Sequence, residues 1–294
     1  METIASIVKL IRRCWPTIQQ RAGIRAGKRL PIYFARLPKA PRILGASAKT
    51  EKSDSAHGVL TGIAYLSPSI ESGRNLCAFS STGCAAACLG HDSGRMIFSE
   101  SRNARLWKSA LYIGARPLFS RLLLAEAAAL ESRARAAGLI PAIRADGSSD
   151  TGIGAALAPL APRVQWYDYT KDYRRALAAA RGALAPNYSA CFSWSGELEN
   201  ARRALQILRA GGTVAVVFDT FISRARKAPL PARFLGFPVA DGDASEARFL
   251  DPRGTVIGLR FKTTRQRAAA LESAGSFIVR QRALSRAGYF MEGS

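Results

Sequence analysis

The period of the apolar positions changes along this chain, and each change marks an element. Ile4, Val8, Ile11 and Trp15 recur at i, i+4, i+7 and i+11, one face of a helix. Lys9, Arg12 and Arg13 lie off that face, and Pro16 is expected to end the pattern. From Ile24 to Lys52 the chain is basic and punctuated by Gly and Pro, and it reads as a linker or an arm. The body opens near Gly58 with VLTGIAYLSPS, a first strand. Phe98 to Gly138 reads as two helices, the second starting at Pro117, because a proline at the first helical position loses no hydrogen bond. Short apolar runs follow at 141–144, 164–169, 188–194, 213–218, 237–240 and 255–261. Between several of them lie Ala/Leu-rich helical segments such as RRALAAARGAL and ELENARRALQILRAGG, the latter ending at the Gly211–Gly212 pair.

Strands that alternate with helices predict parallel pairing through crossover connections. Seven such strands are fewer than an eight-fold barrel needs, and 219–236 has no clear helix. The expected fold is therefore α/β, an incomplete parallel (β/α) barrel that is TIM-like or radical-SAM-like, with a doubly wound open sheet as the alternative. A basic N-terminal helix and linker over residues 1–45 would precede a single barrel-like domain over 46–294.

Charge adds a partner to this picture. The 294 residues hold 43 Lys+Arg against 21 Asp+Glu, a net +22, and eleven of the cations fall within residues 1–50 beside one acid, Glu2. A field of that sign attracts polyanions, nucleic acid first among them. Because 34 of the 43 are Arg in an Ala-rich chain, compositional bias is the competing explanation. The basic amphipathic helix suits an anionic membrane surface or a phosphate backbone, or else it packs on the body with its charges solvated. No apolar run reaches the roughly 20 residues of a membrane span, so none is expected. With no signal-peptide order at the N-terminus and five unevenly spaced cysteines, the expected compartment is the reducing cytoplasm.

Polar clusters close the apolar runs. Asp146, Ser148 and Asp150 follow the strand at 141–144; Asp168 and Lys171 close the next; then come Ser193 and Ser195, Asp219, Asp241 and Asp243, and Lys262. Active sites of parallel α/β folds gather at the C-terminal strand ends, which makes these residues pocket candidates. Asp and Ser after a strand are equally ordinary N-caps of the next helix. Asp146, Asp168, Lys171 and Asp219 are the catalytic candidates, with Ser148, Asp150, Ser193 and Ser195 placed to hold a cofactor. Walker-type and dinucleotide Gly-rich patterns are absent.

The sharpest signal is NLCAFSSTGCAAACLGHDSGR, in which Cys77, Cys84 and Cys88 are spaced Cys-x6-Cys-x3-Cys and His91 follows three residues later. Three thiolates on one small-residue loop suit a 4Fe–4S cluster whose fourth iron is open to substrate or S-adenosylmethionine. Zinc held by the same thiolates and His91 is the alternative. Cys191, inside a strand, reads as core, and Cys14 belongs to the N-terminal helix.

Together with this loop, GASAKT near residue 45, the Arg-Ala-Asp-Gly-Ser-Ser-Asp segment, YDYTK, CFSWSGE and VADGDASEARFLDP occur in an order that resembles the phage gene product 88 family over about residues 44–285. The loop is also similar, more distantly, to the three-cysteine loops of radical-SAM-like barrel proteins of phages. It differs from the usual Cys-x3-Cys-x2-Cys spacing, and Gly147 to Asp150 stands roughly where a Gly-Gly-Glu would. That family has no established function; phage genomes often encode base-modifying enzymes, and the resemblance points the same way, toward nucleic acid or a nucleotide as substrate. Three functions follow as expectations. The first is an iron–sulfur, radical-SAM-like enzyme acting on nucleic acid or a nucleotide. The second is a zinc-stabilised enzyme of base exchange or glycosyl transfer that uses Asp residues, with Trp166, Tyr167 or Trp194 stacking on a base. The third is a basic, non-catalytic DNA-binding protein.

Overall fold

The structure is a computed structural model that describes residues 2–46, 56–92, 94–220, 228–262 and 267–281. In chain order the helices are α1 (Ile4–Gly23), α2 (Thr82–Ala86), α3 (Leu89–Asp92), α4 (Ser99–Gly114), α5 (Arg116–Ala136), α6 (Ile153–Leu157), α7 (Tyr173–Ala180), α8 (Leu198–Arg209) and α9 (Arg267–Ala274). The strands are β1 (Ile24–Arg25), β2 (Lys28–Arg29), β3 (Leu44–Gly45), β4 (Val59–Ala64), β5 (Ile140–Arg144), β6 (Gln165–Thr170), β7 (Tyr188–Ser193), β8 (Thr213–Phe218), β9 (Arg233–Phe234), β10 (Phe237–Asp241), β11 (Val256–Arg260) and β12 (Ile278–Val279). The chain is mixed α/β, its sheet is mostly parallel, and all seven strands expected from the apolar runs are present. Among the described residues no pairing closes the strands into a barrel. No described helix is long and apolar enough to cross a membrane.

Two compact units divide the chain. Unit 1 is Met1–Ala78 with Arg95–Trp166, and unit 2 is Phe79–Gly94 with Tyr167–Ser294. In unit 1, β4 pairs in parallel with β5 from Val59↔Ile140 to Ile63↔Arg144, and β3 adds antiparallel to β4. Helix α1 packs on α4 and α5. Gly114 permits the crossing, since a Cβ there would lie 2.4 Å from the Ile18 carbonyl oxygen.

Residues 1–45 thus belong to unit 1, and the expected boundary at 45/46 does not coincide with the observed division. Nor does Pro16 end α1. An interior proline costs about 3 kcal/mol in a helix, but burial beyond it offsets that loss. The buried stripe is Ile7, Ile11, Ile18 and Ala22, while Ile4, Val8 and Trp15 are only half-buried. Thr3 starts the helix, its Oγ1 accepting the Ser6 N–H at 3.2 Å.

In unit 2, β7 pairs with β8, β8 with β11 and β11 with β10, all in parallel. β12 adds in parallel to the end of β8, and β9 closes on β10 as a tight antiparallel hairpin. Alternation along these strands sorts the side chains. Phe192, Val214, Val216, Phe218 and Val256 pack with Ala204, Ile207 and Leu208 of α8, while Cys191, Ala215 and Ile257 form a separate cluster. Asp172 caps α7 by accepting from the N–H groups of Arg174 and Arg175. Gly211, at φ +83°, carries the turn that ends α8, as the glycine pair predicted.

Candidate functional site

The candidate residues fall into two groups, one in each unit. In unit 1 the loops after β4 and β5 hold Cys77, Asp146, Ser148 and Asp150. Gly147 lets the second loop lie on the end of the first strand, because a Cβ there would meet Ile63 Cγ2 at 2.6 Å and the Tyr65 ring at 2.8 Å. The Gly147 N–H donates to the Ala64 carbonyl at 2.9 Å, and Ser148 Oγ donates to the Leu66 carbonyl at 2.5 Å. Asp150 contributes its backbone N–H, 2.9 Å from the Leu76 carbonyl. Cys77 is thereby held beside the β5 loop. Its Sγ lies 3.9 Å from the Ser148 carbonyl oxygen and accepts the Ser69 N–H at 3.3 Å.

Asp146 is buried and organises its own loop. Its carboxylate accepts from Ser149 Oγ at 2.5 Å, Thr151 Oγ1 at 2.9 Å, and the N–H groups of Thr151 and Gly152 at 3.0 and 2.9 Å. Thr151 extends the network to the Tyr112 hydroxyl, which also meets Arg116. Burial pushes the Tyr112 phenol above its ordinary value, against the opposing pull of the Arg116 charge. The segment leading to Cys77 is fastened to α4 by a buried pair that the sequence did not signal. Arg105 Nε and Nη2 donate to the Glu71 carboxylate at 2.9 and 2.5 Å, and Nη1 donates to the Met96 carbonyl.

Unit 2 holds Cys84, Cys88, Asp168, Lys171, Ser193, Ser195 and Asp219. Lys171 follows β6, and its ammonium donates to Ser193 Oγ at 2.6 Å and to the Trp194 and Ser193 carbonyls at 3.2 and 3.4 Å. The same ammonium stands 5.0 Å from the centre of the Phe277 ring. Carbonyl acceptors and an aromatic face both favour a charged lysine. Helix α2 also comes close to Phe277. A Cβ on Gly83 would lie 2.2 Å from the Ala274 carbonyl oxygen and 2.9 Å from Phe277 Cβ, so only glycine allows this contact. Ser81 caps α2 by accepting the Cys84 N–H at 3.1 Å, and Ala87 packs with Phe261, Ala270, Ala274 and Ile278. Cys88 follows Cys84 by four residues, about one helical turn.

Ser195 and Asp219 each fasten a neighbouring backbone segment. Ser195 is buried, and its N–H donates to Asn200 Oδ1 at 2.8 Å. Asp168 is buried two residues before the end of β6. Asp219 ties β12 to β8: its N–H donates to the Val279 carbonyl at 3.0 Å and its Oδ1 accepts the Gln281 N–H at 3.1 Å. Asp241 and Asp243 pair with Arg260 at 2.7 and 3.3 Å, and Lys262 meets Asp243 at 2.6 Å. Cys191 is buried in β7, where desolvation pushes its thiol up to about 12 and leaves it unreactive. The aromatics expected to stack on a base are corrected: Trp166, Tyr167 and Trp194 are all buried, the last edge-on to Phe234.

The three loop cysteines do not share a unit, Cys77 belonging to unit 1 and Cys84 and Cys88 to unit 2. The His91 side chain lies outside the described residues. Among the described residues no three His, Cys, Asp or Glu side chains form a group that would hold a metal ion. The donor chemistry suits iron–sulfur or zinc, but the described residues do not form a ligand set.

No curated protein and no solved structure matches the chain. One family model does, over residues 42–275, a span that takes in every candidate residue of both units, and it places the chain in the Gene product 88 family.

Proposed function

We propose that this protein is an enzyme acting on nucleic acid or a nucleotide, with the cysteine loop as the entry point for a thiolate-held metal. An iron–sulfur cluster is the first choice and zinc the second. In this reading the strands are those of an incomplete (β/α) barrel of radical-SAM-like kind, with S-adenosylmethionine as the co-substrate. One observation carries it. In unit 1 Cys77 lies beside the loop that follows β5, and in unit 2 Ala87, next to Cys88, packs with Phe261 just past β11, so both cysteine segments touch the C-terminal side of a parallel strand, where α/β enzymes keep their chemistry.

When bound, a cluster would supply electron transfer to a ligand at its open iron. The chain's own residues do the rest. Lys171, charged and fixed on Ser193, presents a cation to an anionic substrate group. Asp146 and Thr151 keep the β5 loop rigid, so that Ser148 and Asp150 stay in place for the co-substrate. Asp168, near the end of β6, and Asp219, just past β8, would stand on the substrate side in this reading. Unit 1 carries 23 Lys+Arg against 9 Asp+Glu and unit 2 carries 20 against 12, which suits a polyanionic substrate.

The test is metal and sulfide analysis with a visible spectrum, on wild type purified anaerobically and on the triple variant Cys77→Ala/Cys84→Ala/Cys88→Ala. Iron and sulfide at about four per chain, with absorbance near roughly 400 nm lost in the variant, is the expected result. Zinc without visible absorbance would overturn the radical reading, and no metal at all would remove the cofactor from the proposal.

A further inference from the structure

Residues 2–41 lie outside the span of the family match, 42–275. We infer that this segment builds a docking surface for single-stranded nucleic acid, centred on the β1–β2 hairpin and the 3-10 turn Pro31–Phe34. The inference deepens the proposal of a nucleic-acid substrate and rests on it.

All ten Lys and Arg side chains between residues 2 and 46 are exposed. The only carboxylate in that stretch, Glu2, is occupied by Arg121. In the hairpin, Arg25 stands directly opposite Lys28, and the intervening Ala26 and Gly27 both have positive φ, which makes the turn as tight as two residues allow. Like charges directly opposite one another destabilise a strand pair, a cost that a bound polyanion relieves. The Arg29 guanidinium lies 4.8 Å over the Tyr33 ring, and that ring meets Phe34 edge-on at 5.4 Å. Phe34 is 64% exposed beside these cations, the state a base would use for stacking.

The patch is also held rigid. Gln19 Nε2 donates to the Tyr33 and Ala35 carbonyls at 2.7 and 2.9 Å. A Cβ on Gly23 would lie 2.6 Å from Tyr33, so the turn sits on the helix end with no room to spare. Arg74 donates to the Ala22 and Ile24 carbonyls, fixing the chain where α1 becomes the hairpin. Cations beside an exposed aromatic, on a pre-ordered backbone, suit phosphates and unstacked bases rather than duplex or lipid. A membrane surface is disfavoured because the apolar stripe of α1, Ile7, Ile11 and Ile18, is already buried in unit 1.

Fluorescence anisotropy on the full chain tests this, with a labelled oligothymidylate, a mixed-sequence duplex and phosphatidylserine-containing vesicles as probes. Arg25→Glu/Lys28→Glu/Arg29→Glu should weaken oligothymidylate binding at least tenfold and flatten its salt dependence, because fewer counterions are released. Phe34→Ala should weaken it about fivefold with the salt slope unchanged, since stacking releases no ions. Arg133→Glu/Arg135→Glu, exposed at the end of α5, should leave both unchanged. Tighter binding of duplex or vesicles than of the oligothymidylate overturns the inference. Full affinity in the hairpin and Phe34 variants overturns it too, while leaving the nucleic-acid proposal standing. Absence of binding by wild type to either nucleic acid sinks both.

Discussion

Asp251 and Arg248 sit three residues apart after β10, with the guanidinium Nε 3.3 Å from a carboxylate oxygen and both side chains largely buried. Burial pushes the Asp251 carboxyl up to about 6; Arg248 opposes the rise and Glu246 adds to it. Desolvation wins because the pair is too dry for the Coulombic attraction to repay it. The consequence for stability has a definite sign. The unfolded chain ionises this group near its ordinary value of 3.8, whereas the folded chain holds its proton to about 6. Its contribution is therefore fully present below the lower value and is lost as pH rises through the upper one. The urea midpoint of wild type should fall relative to Asp251→Asn between pH 4 and 7, by on the order of 2 kcal/mol in stability. A difference that stays flat with pH would contradict this. At the same scale, roles were legible in the sequence where partners are near. The donors around Asp146 come from Ser149, Thr151 and Gly152, within six residues, and its loop could be read from that segment alone. Asp219 finds Gln281 62 residues on, and no local pattern reveals that.

Elements of five or six residues carry enough alternation to be seen, which is why β4 to β8, β10 and β11 were legible. Two residues have no period, so β1, β2, β3, β9 and β12 exist only because something else pays attention to their backbone groups. For β3 that partner is Glu126 on α5. Its two carboxylate oxygens accept the Ile43 and Leu44 N–H groups at 2.9 and 2.8 Å. Burial raises the Glu126 carboxyl, while these hydrogen bonds and Lys108 oppose the rise; burial also lowers the Lys108 ammonium to about 8. Glu126→Ala should leave two backbone donors without their acceptor and remove the charge that faces Lys108, at a cost of about 3 kcal/mol. Hydrogen exchange at Ile43–Gly45 should quicken accordingly, with Glu126→Gln intermediate because one amide oxygen can still accept. Unchanged exchange there would show that β3 is held by its pairing with β4 alone. Pro16 teaches the reverse lesson, since a local breaker yields when Ile18 and Ala22 are buried beyond it.

Over the whole molecule, the chain passes from unit 1 to unit 2 at residue 79, returns at 95 and leaves again at 167. A boundary search along the sequence cannot find such a division, because the excursion from Phe79 to Gly94 differs from its neighbours in destination and not in composition. The change of composition near residue 45 is real, yet it marks charge and not a unit. That charge sets the molecule's response to salt. A net +22 places like charges across the surface, and their mutual repulsion opposes the compact state. Against this stand the exposed ion pairs, such as Arg203 with Glu199, each worth at most about 1 kcal/mol. Salt screens both, with a Debye length of about 10 Å at 0.1 M. The long-range repulsion of many charges is the larger quantity, so screening should stabilise. The thermal unfolding midpoint should rise by several degrees between 20 and 300 mM sodium chloride, about 2–4 °C for each kcal/mol in a chain of this size. Charge reversal of Arg25, Lys28 and Arg29 lowers the net charge by six, and the rise in that variant should be smaller than in wild type. A midpoint that falls with salt would mean that local ion pairs outweigh the overall field, and the excess of arginine would then be a feature of stability before it is one of binding.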